Sequence, residues 1–158
     1  MTDVNGLRLA YRGFVAGLAG AYVWAAIAMA LAALVAGDPI APLRPIATAI
    51  SPLAGTPELA FVLGFAAVQA GGAVVGMSFA YFFARFFTVR PTLAVAAPVV
   101  AVLAWAITSV ALHGATEPIP PVVQGIAVVA TIGFGLVLAA GVPTRTEVMR
   151  RPYASPST

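Results

Sequence analysis

Long apolar stretches alternate with short polar segments along this chain. The stretches are Gly13–Ala36, Leu59–Ala84, Leu93–Leu112 and Val122–Val142. A helix of about 20 residues spans roughly 30 Å, the thickness of a bilayer's hydrocarbon core, and each stretch is long enough to do so. The pattern therefore predicts an all-α fold in which residues 1–142 form a single integral membrane four-helix bundle. The remaining residues, 143–158, are rich in Pro, Ser, Thr and Arg and are predicted to form a short disordered tail.

The connections between these stretches differ in length. Short segments, Arg85–Arg90 and Gly114–Pro121, join the second stretch to the third and the third to the fourth. Because short loops usually join antiparallel neighbours, we expect the second helix to pack on the third and the third on the fourth. The connection Gly37–Glu58 is longer, and its apolar run Ile46–Ile50 is compatible with a short helix. This loop is either a proline-stiffened connector or a docking surface for a partner, with Arg44 as its cation.

Small residues recur at every fourth position in three of the predicted helices. They are Gly13, Gly17, Ala21 and Ala25 in the first, Gly72, Gly76, Ala80 and Ala84 in the second, and Ala127, Thr131, Gly135 and Ala139 in the fourth. Spacing by four keeps these residues on one helix face, where they allow two backbones to approach closely. We therefore predict that Gly13, Gly17, Gly72, Gly76 and Gly135 form helix contacts. The pattern leaves open whether these contacts lie within the chain or on a partner.

Composition supports a membrane protein and gives no indication of a nucleic-acid partner. Apolar residues make up 61% of the 158-residue chain and charged residues 8%, against roughly a quarter charged in soluble domains. The formal net charge is +3. Cations placed beside anionic lipid headgroups account for that charge. Membrane lipids are thus the expected partners, together with other membrane protein subunits.

The residues inside the predicted spans exclude several kinds of chemistry. None of the four stretches contains Asp, Glu, Arg or Lys, whereas proton relays, voltage sensors and ion-coupled transporters need ionisable groups at membrane depth. The sequence has one histidine, His113, and no cysteine. A haem with two histidine ligands would need a second histidine, so His113 can be at most a single axial ligand. We predict no enzyme activity, no metal site and no cofactor.

Three polar or amphipathic side chains within the spans need partners. Gln69 lies near the middle of the second stretch, where we expect an interhelical hydrogen bond, with a ligand-binding role as the alternative. We predict no cofactor, and His113 and Gln69 are the candidate residues if the chain does bind one. Trp24 and Trp105 also lie well inside their stretches, and we expect both to pack in the core with a partner for the indole N–H.

Several short segments resemble a group of small uncharacterised four-span bacterial membrane proteins. These are Pro42-Leu43-Arg44-Pro45-Ile46-Ala47, Phe61-Val62-Leu63-Gly64 with Gly76, and Gly133-Phe134-Gly135-Leu136. The resemblance implies a four-span fold in the bacterial cytoplasmic (inner) membrane and implies no activity. Members of the group often have a histidine near the positions of Gln69 and Thr131. This chain has none there, so the resemblance does not extend to a metal or haem role.

Two functional hypotheses follow from these observations. The first is a non-catalytic accessory or scaffold subunit of a larger membrane complex, such as a respiratory or other redox assembly. The alternative is a small homo-oligomeric channel or transporter for a neutral or lipidic solute. The first is favoured by the small-residue faces, the long loop and the lack of ionisable or ligand-bearing residues inside the spans. For the second, symmetry-related copies would have to build the pathway, because four spans are few for a carrier acting alone.

Arginine positions predict the orientation of the chain. Seven of the eight basic residues lie on the side that contains both termini, and only Arg44 lies on the other. Cytoplasmic loops retain Arg and Lys, so both termini should be cytoplasmic and Gly37–Glu58 should face outward. We expect an impermeant thiol reagent on whole cells to label Ser51→Cys and not Ser155→Cys. Labelling of Ser155→Cys alone would reverse the assignment.

Overall fold

The computed structural model describes residues 3–83, 86–112 and 119–144. Within these ranges the chain is helical and contains no strand. The helices are α1 (Asp3–Val35), α2 (Arg44–Ile50), α3 (Pro57–Ser78), α4 (Arg90–Leu112) and α5 (Pro121–Gly141), and a π-helical segment (Phe79–Phe83) continues α3. His113 and the tail from residue 145 onward lie outside the described residues.

Four of these helices are long and apolar enough to cross a membrane. They are α1, α3 with its π-helical continuation, α4 and α5. The finding confirms the predicted all-helical chain with four long apolar helices, and it indicates a multi-pass membrane protein. α1 begins at Asp3 rather than near Gly13, so Arg8 and Arg12 belong to its first turns.

Local signals set several of the helix ends. Gly37 follows the end of α1 with φ +70°, a left-handed conformation that glycine adopts without steric cost. The Thr56 hydroxyl accepts a hydrogen bond from the backbone N–H of Leu59 at 3.4 Å and caps α3. Pro57 and Pro121 occupy first-turn positions, where the missing N–H has no intrahelical partner to lose.

α1 is the central helix because it packs along both α3 and α5. On its α3 side, Gly13 and Gly17 lie against Gly76 and Gly72. A Cβ added to Gly72 would lie 2.8 Å from the carbonyl oxygen of Gly17, and one added to Gly76 would lie 2.7 Å from Cα of Gly17. These distances are shorter than van der Waals contact, so the α1 and α3 backbones touch along this face.

The contacts of α5 also depend on glycine. A Cβ on Gly20 of α1 would lie 2.7 Å from Cδ2 of Phe134, and a Cβ on Gly135 would lie 2.6 Å from the nitrogen of Pro98 in α4. Arg90 adds a polar contact between α4 and α5, because its Nη1 donates to the carbonyl oxygens of Ala139 at 2.8 Å and Ala140 at 3.1 Å. A cation at these last carbonyls stabilises the C-terminal end of α5.

The prediction that the second and third membrane helices pack as neighbours is wrong. Among the described residues α3 has no substantial contact with α4, and α4 packs on α5 instead. The order of the helices in space is therefore α3, α1, α5, α4. The short connection limits the distance between adjacent helix ends, but the glycine contacts of α1 and α5 decide which helices pack along their length.

The long loop folds back onto the bundle. Leu43 and Ala47 are fully buried, and a Cβ on Gly64 of α3 would lie 2.7 Å from the carbonyl oxygen of Leu43. Arg44 forms a salt bridge with Asp38 at 3.0 Å. The short helix α2 corresponds to the apolar run expected in this loop. It packs on α3 and reaches α4, so it crosses the gap between these two helices. We call this end of the bundle, where α3 begins and α4 ends, the α2 end.

We expect Gly76→Leu to destabilise the folded chain by about 1–3 kcal/mol, because the new side chain must push α3 away from α1. Val74→Leu is the matched control, since Val74 is 57% exposed and lies on another face of α3. Thermal unfolding in detergent measures both variants. Equal midpoints for the two variants would contradict the proposed importance of this contact.

Candidate functional site: a cavity between α3 and α4

The gap between α3 and α4 contains a cavity of about 500 Å³. Its floor is formed by α1 and α5, and residues of α2 and the preceding loop cover the α2 end. The lining residues from α3 and α4 are mainly small or aliphatic: Ala67, Val68, Gly71, Gly72, Val75, Ala101 and Ala104, with Trp105, Thr108 and Ser109 nearer the α2 end. We call this space the interhelical cavity.

The interhelical cavity is open on the side where α3 and α4 diverge. Gly71 on α3 and Thr108 on α4 both line it and are both exposed at the surface of the chain. α2 closes one end, where Pro45 and Ile46 contribute to the lining. If the four long helices cross a bilayer, this opening faces lipid rather than water.

A buried hydrogen-bond chain crosses the floor of the cavity. The indole N–H of Trp24 donates to Oγ1 of Thr131 at 3.0 Å, and that hydroxyl donates to the carbonyl oxygen of Ala127 at 2.7 Å. Both side chains are largely buried, with 7% of Trp24 and 4% of Thr131 exposed. Thr131 is thus the partner that the Trp24 indole requires, and the chain joins α1 to α5.

Most polar side chains at the α2 end donate to backbone carbonyls nearby. Thr108 donates to Ala104, and Ser109 to Ala106, both at 2.8 Å. Gln124 donates through Nε2 to the carbonyl oxygen of Ile119 at 3.0 Å. These bonds are local to one helix or the residues that precede it, so they do not join helices.

Trp105 differs from its polar neighbours. Its ring is half-buried and packs against the main core, and among the described residues its indole N–H has no hydrogen-bond partner. It lines the cavity at the α2 end. The Trp105 indole is therefore the lining donor that makes no hydrogen bond within the described part of the chain.

The interhelical hydrogen bond expected for Gln69 is not observed. Its Nε2 and Oε1 atoms are both buried and have no hydrogen-bond partner in the part of the chain that the structure describes. Gln69 does not line the interhelical cavity, although its neighbours Val68 and Gly71 do. A buried unpaired amide costs about 1–3 kcal/mol, so Gln69 is an unsatisfied polar group within α3 and does not join two helices.

The other predicted residues fall in different places. Gly72 lines the cavity and also packs on α1, whereas Gly13, Gly17 and Gly76 have only packing contacts here. Arg44 is paired with Asp38 and is not part of the lining. His113 lies outside the described residues. Of the site residues predicted from the sequence and described by the structure, Gly72 therefore lines the cavity and the others do not.

Sequence reasoning missed the lining residues for a clear reason. Ala67, Gly71 and Ala104 are small residues in predicted spans, and small residues in a membrane helix usually indicate close packing against a neighbour. The sequence signal that could have identified the lining is a small residue that lies outside the four-residue spacing of the packing face. Gly71 is out of step with the four-residue spacing of Gly72 and Gly76, and a Cβ at Gly71 would meet nothing within 4 Å.

The described lining of the cavity is uncharged. None of its described lining residues is ionisable, and the described residues contain no group of His, Cys, Asp and Glu that could hold a metal ion. An apolar molecule gains little by leaving lipid for an apolar wall, so selective binding must come from shape and from the few polar groups.

Comparisons of the chain with protein-family models, with curated proteins and with solved structures found no match.

Proposed function

We propose that this chain is a non-catalytic membrane protein that binds a lipidic molecule in the interhelical cavity. The observation that carries the proposal is the uncharged space of about 500 Å³ between α3 and α4. The proposed setting is the bacterial cytoplasmic membrane, with both chain ends on the cytoplasmic side. In that orientation the α2 end faces outward, and the cavity extends from the outer leaflet toward the bilayer centre.

The size of the cavity is that of a small-molecule site. Its volume of about 500 Å³ falls within the range of roughly 300–1,000 Å³ typical of such sites.

The position of the opening favours a ligand that is already dissolved in the bilayer. Gly71 and Thr108 flank the opening on the lateral surface of the bundle. A lipidic molecule can enter between them without crossing the headgroup layer. The short helix α2 closes the cavity at its outward-facing end. A water-soluble solute entering at that end would have to pass Pro45 and Ile46 of α2.

A substitution that fills the cavity should prevent binding without disturbing the fold. A Cβ at Gly71 meets no atom within 4 Å, so Gly71→Leu places its side chain in the cavity and leaves the helix contacts intact. We expect wild-type protein in mild detergent to retain one lipidic molecule per chain, detected by mass spectrometry. Gly71→Leu should weaken this binding about tenfold or more, the effect of overfilling a fitted space.

Gly125→Leu provides the matched control. A Cβ at Gly125 also meets nothing within 4 Å, but Gly125 does not line the cavity. This variant should retain the bound molecule and unfold at the same temperature as Gly71→Leu. The proposal fails if the wild type and both variants carry the same unselective mixture of membrane lipids.

A non-catalytic accessory or scaffold subunit is the second candidate, and it is the function proposed from the sequence. The observation that favours it is the sparse covering of α4, which packs mainly on α5. An apolar row on this helix is more than half exposed: Val95, Val99, Leu103, Ile107 and Val110. The glycine faces are occupied within the chain, so a partner subunit would contact α4 through these larger side chains.

The mass of the particle in mild detergent distinguishes the accessory subunit from the homo-oligomeric channel or transporter. The subunit hypothesis predicts a heteromeric particle with fixed stoichiometry, and Leu103→Arg should release the chain from it because a charge on this row opposes apolar packing. The channel or transporter hypothesis predicts a particle made only of copies of this chain. A monomer under all conditions contradicts both.

A further inference from the structure

We infer that the occupant of the interhelical cavity is a neutral amphiphile whose polar group accepts a hydrogen bond from Trp105. The inference depends on the proposed function, because it names the class of ligand for the same cavity. Three observations carry it: the position of the polar lining groups, the hydrogen bonds that these groups already make, and the uncharged lining.

The polar lining groups lie at one end of the cavity. Trp105, Thr108, Ser109 and Gln124 all belong to the turns of α4 and α5 nearest the α2 end. The deeper lining includes Val75, Ala101 and Phe134. A ligand that matches this arrangement has its polar group at the α2 end and an apolar chain directed toward the middle of the bundle.

Hydrogen-bond accounting identifies the group that meets the ligand. Within the deeper part, the donors of Trp24 and Thr131 are both used inside the protein. At the α2 end, Thr108, Ser109 and Gln124 each donate to a backbone carbonyl. The Trp105 indole makes no hydrogen bond among the described residues. The ligand must therefore supply an acceptor, such as an ester, ketone or hydroxyl oxygen.

Charge and volume narrow the ligand class further. No described lining residue is cationic, and Arg44 is already paired with Asp38 outside the cavity. A buried phosphate or carboxylate would therefore lack a counter-charge, which is costly in an apolar site. The volume of about 500 Å³ is typical of a site that holds one small molecule.

The two tryptophans of the chain provide a direct test. Both Trp24 and Trp105 line the cavity, and the chain has no others. A brominated acyl chain bound there quenches their fluorescence. Three probes with the same brominated chain are titrated into the detergent-solubilised full chain: a monoacylglycerol, the corresponding free fatty acid in its ionised form, and the alkane without a headgroup. We expect saturable quenching, with the monoacylglycerol binding tightest.

Trp105→Phe isolates the proposed hydrogen bond. The variant retains an aromatic ring and loses only the indole donor, while Trp24 still reports binding. Its affinity for the monoacylglycerol should fall about three- to tenfold, the effect of one hydrogen bond, and its affinity for the alkane should not change. Thermal unfolding checks that the variant is folded. If it does not fold, the comparison of the three probes on the wild type still decides the question.

Each outcome separates this inference from the proposed function. Equal binding of all three probes, or tighter binding of the ionised fatty acid, overturns the neutral acceptor-bearing ligand and leaves lipid binding intact. The neutral acceptor-bearing ligand is likewise overturned if Trp105→Phe binds the monoacylglycerol as tightly as the wild type does. If no probe quenches saturably, or if Gly71→Leu is quenched as strongly as the wild type, lipid binding in the cavity itself is disproved.

Discussion

Backbone contact through glycine along α1 is the constraint on which the rest of this structure depends. In a bilayer, apolar burial does not favour contact between helices over contact with lipid, so close packing must hold them together. α1 achieves this on two faces, with Gly13 and Gly17 against α3 and Gly20 against Phe134 of α5. Any side chain at these positions would overlap a neighbouring atom. The distances between α1 and its two neighbours are therefore determined within narrow limits.

The cavity follows from this arrangement. α3 and α5 are held against α1, and α4 is attached to α5 through Gly135, Pro98 and the Arg90 hydrogen bonds. No comparable contact draws α4 toward α3. The two outer helices diverge, and α2 covers one end of the space between them. Small residues allow tight packing elsewhere in the bundle, whereas Ala67 and Ala104 line this space and are too small to fill it.

The polar groups near the cavity have unequal roles. Trp24 and Thr131 form a satisfied pair that joins α1 to α5, so their contribution is to the floor of the site. Trp105 is half-buried and has no partner among the described residues, and in the proposed function its indole binds the ligand. Gln69 is unsatisfied but lies outside the lining. An unsatisfied polar side chain identifies a binding group only when it also borders a space that a ligand can occupy.

The sequence by itself determined the helical class and the four long apolar helices, because hydrophobic length and proline position act locally. For the long loop, the apolar run was compatible with a short helix but did not require one. The sequence also identified Gly72 and Gly76 as small residues on one face of α3. Only the tertiary structure decided what that face contacts, that α3 and α4 do not pack, and that Trp105 borders a cavity. Helix neighbours depend on competition among several small-residue faces, and the spacing within one helix carries no information about which partner approaches closest.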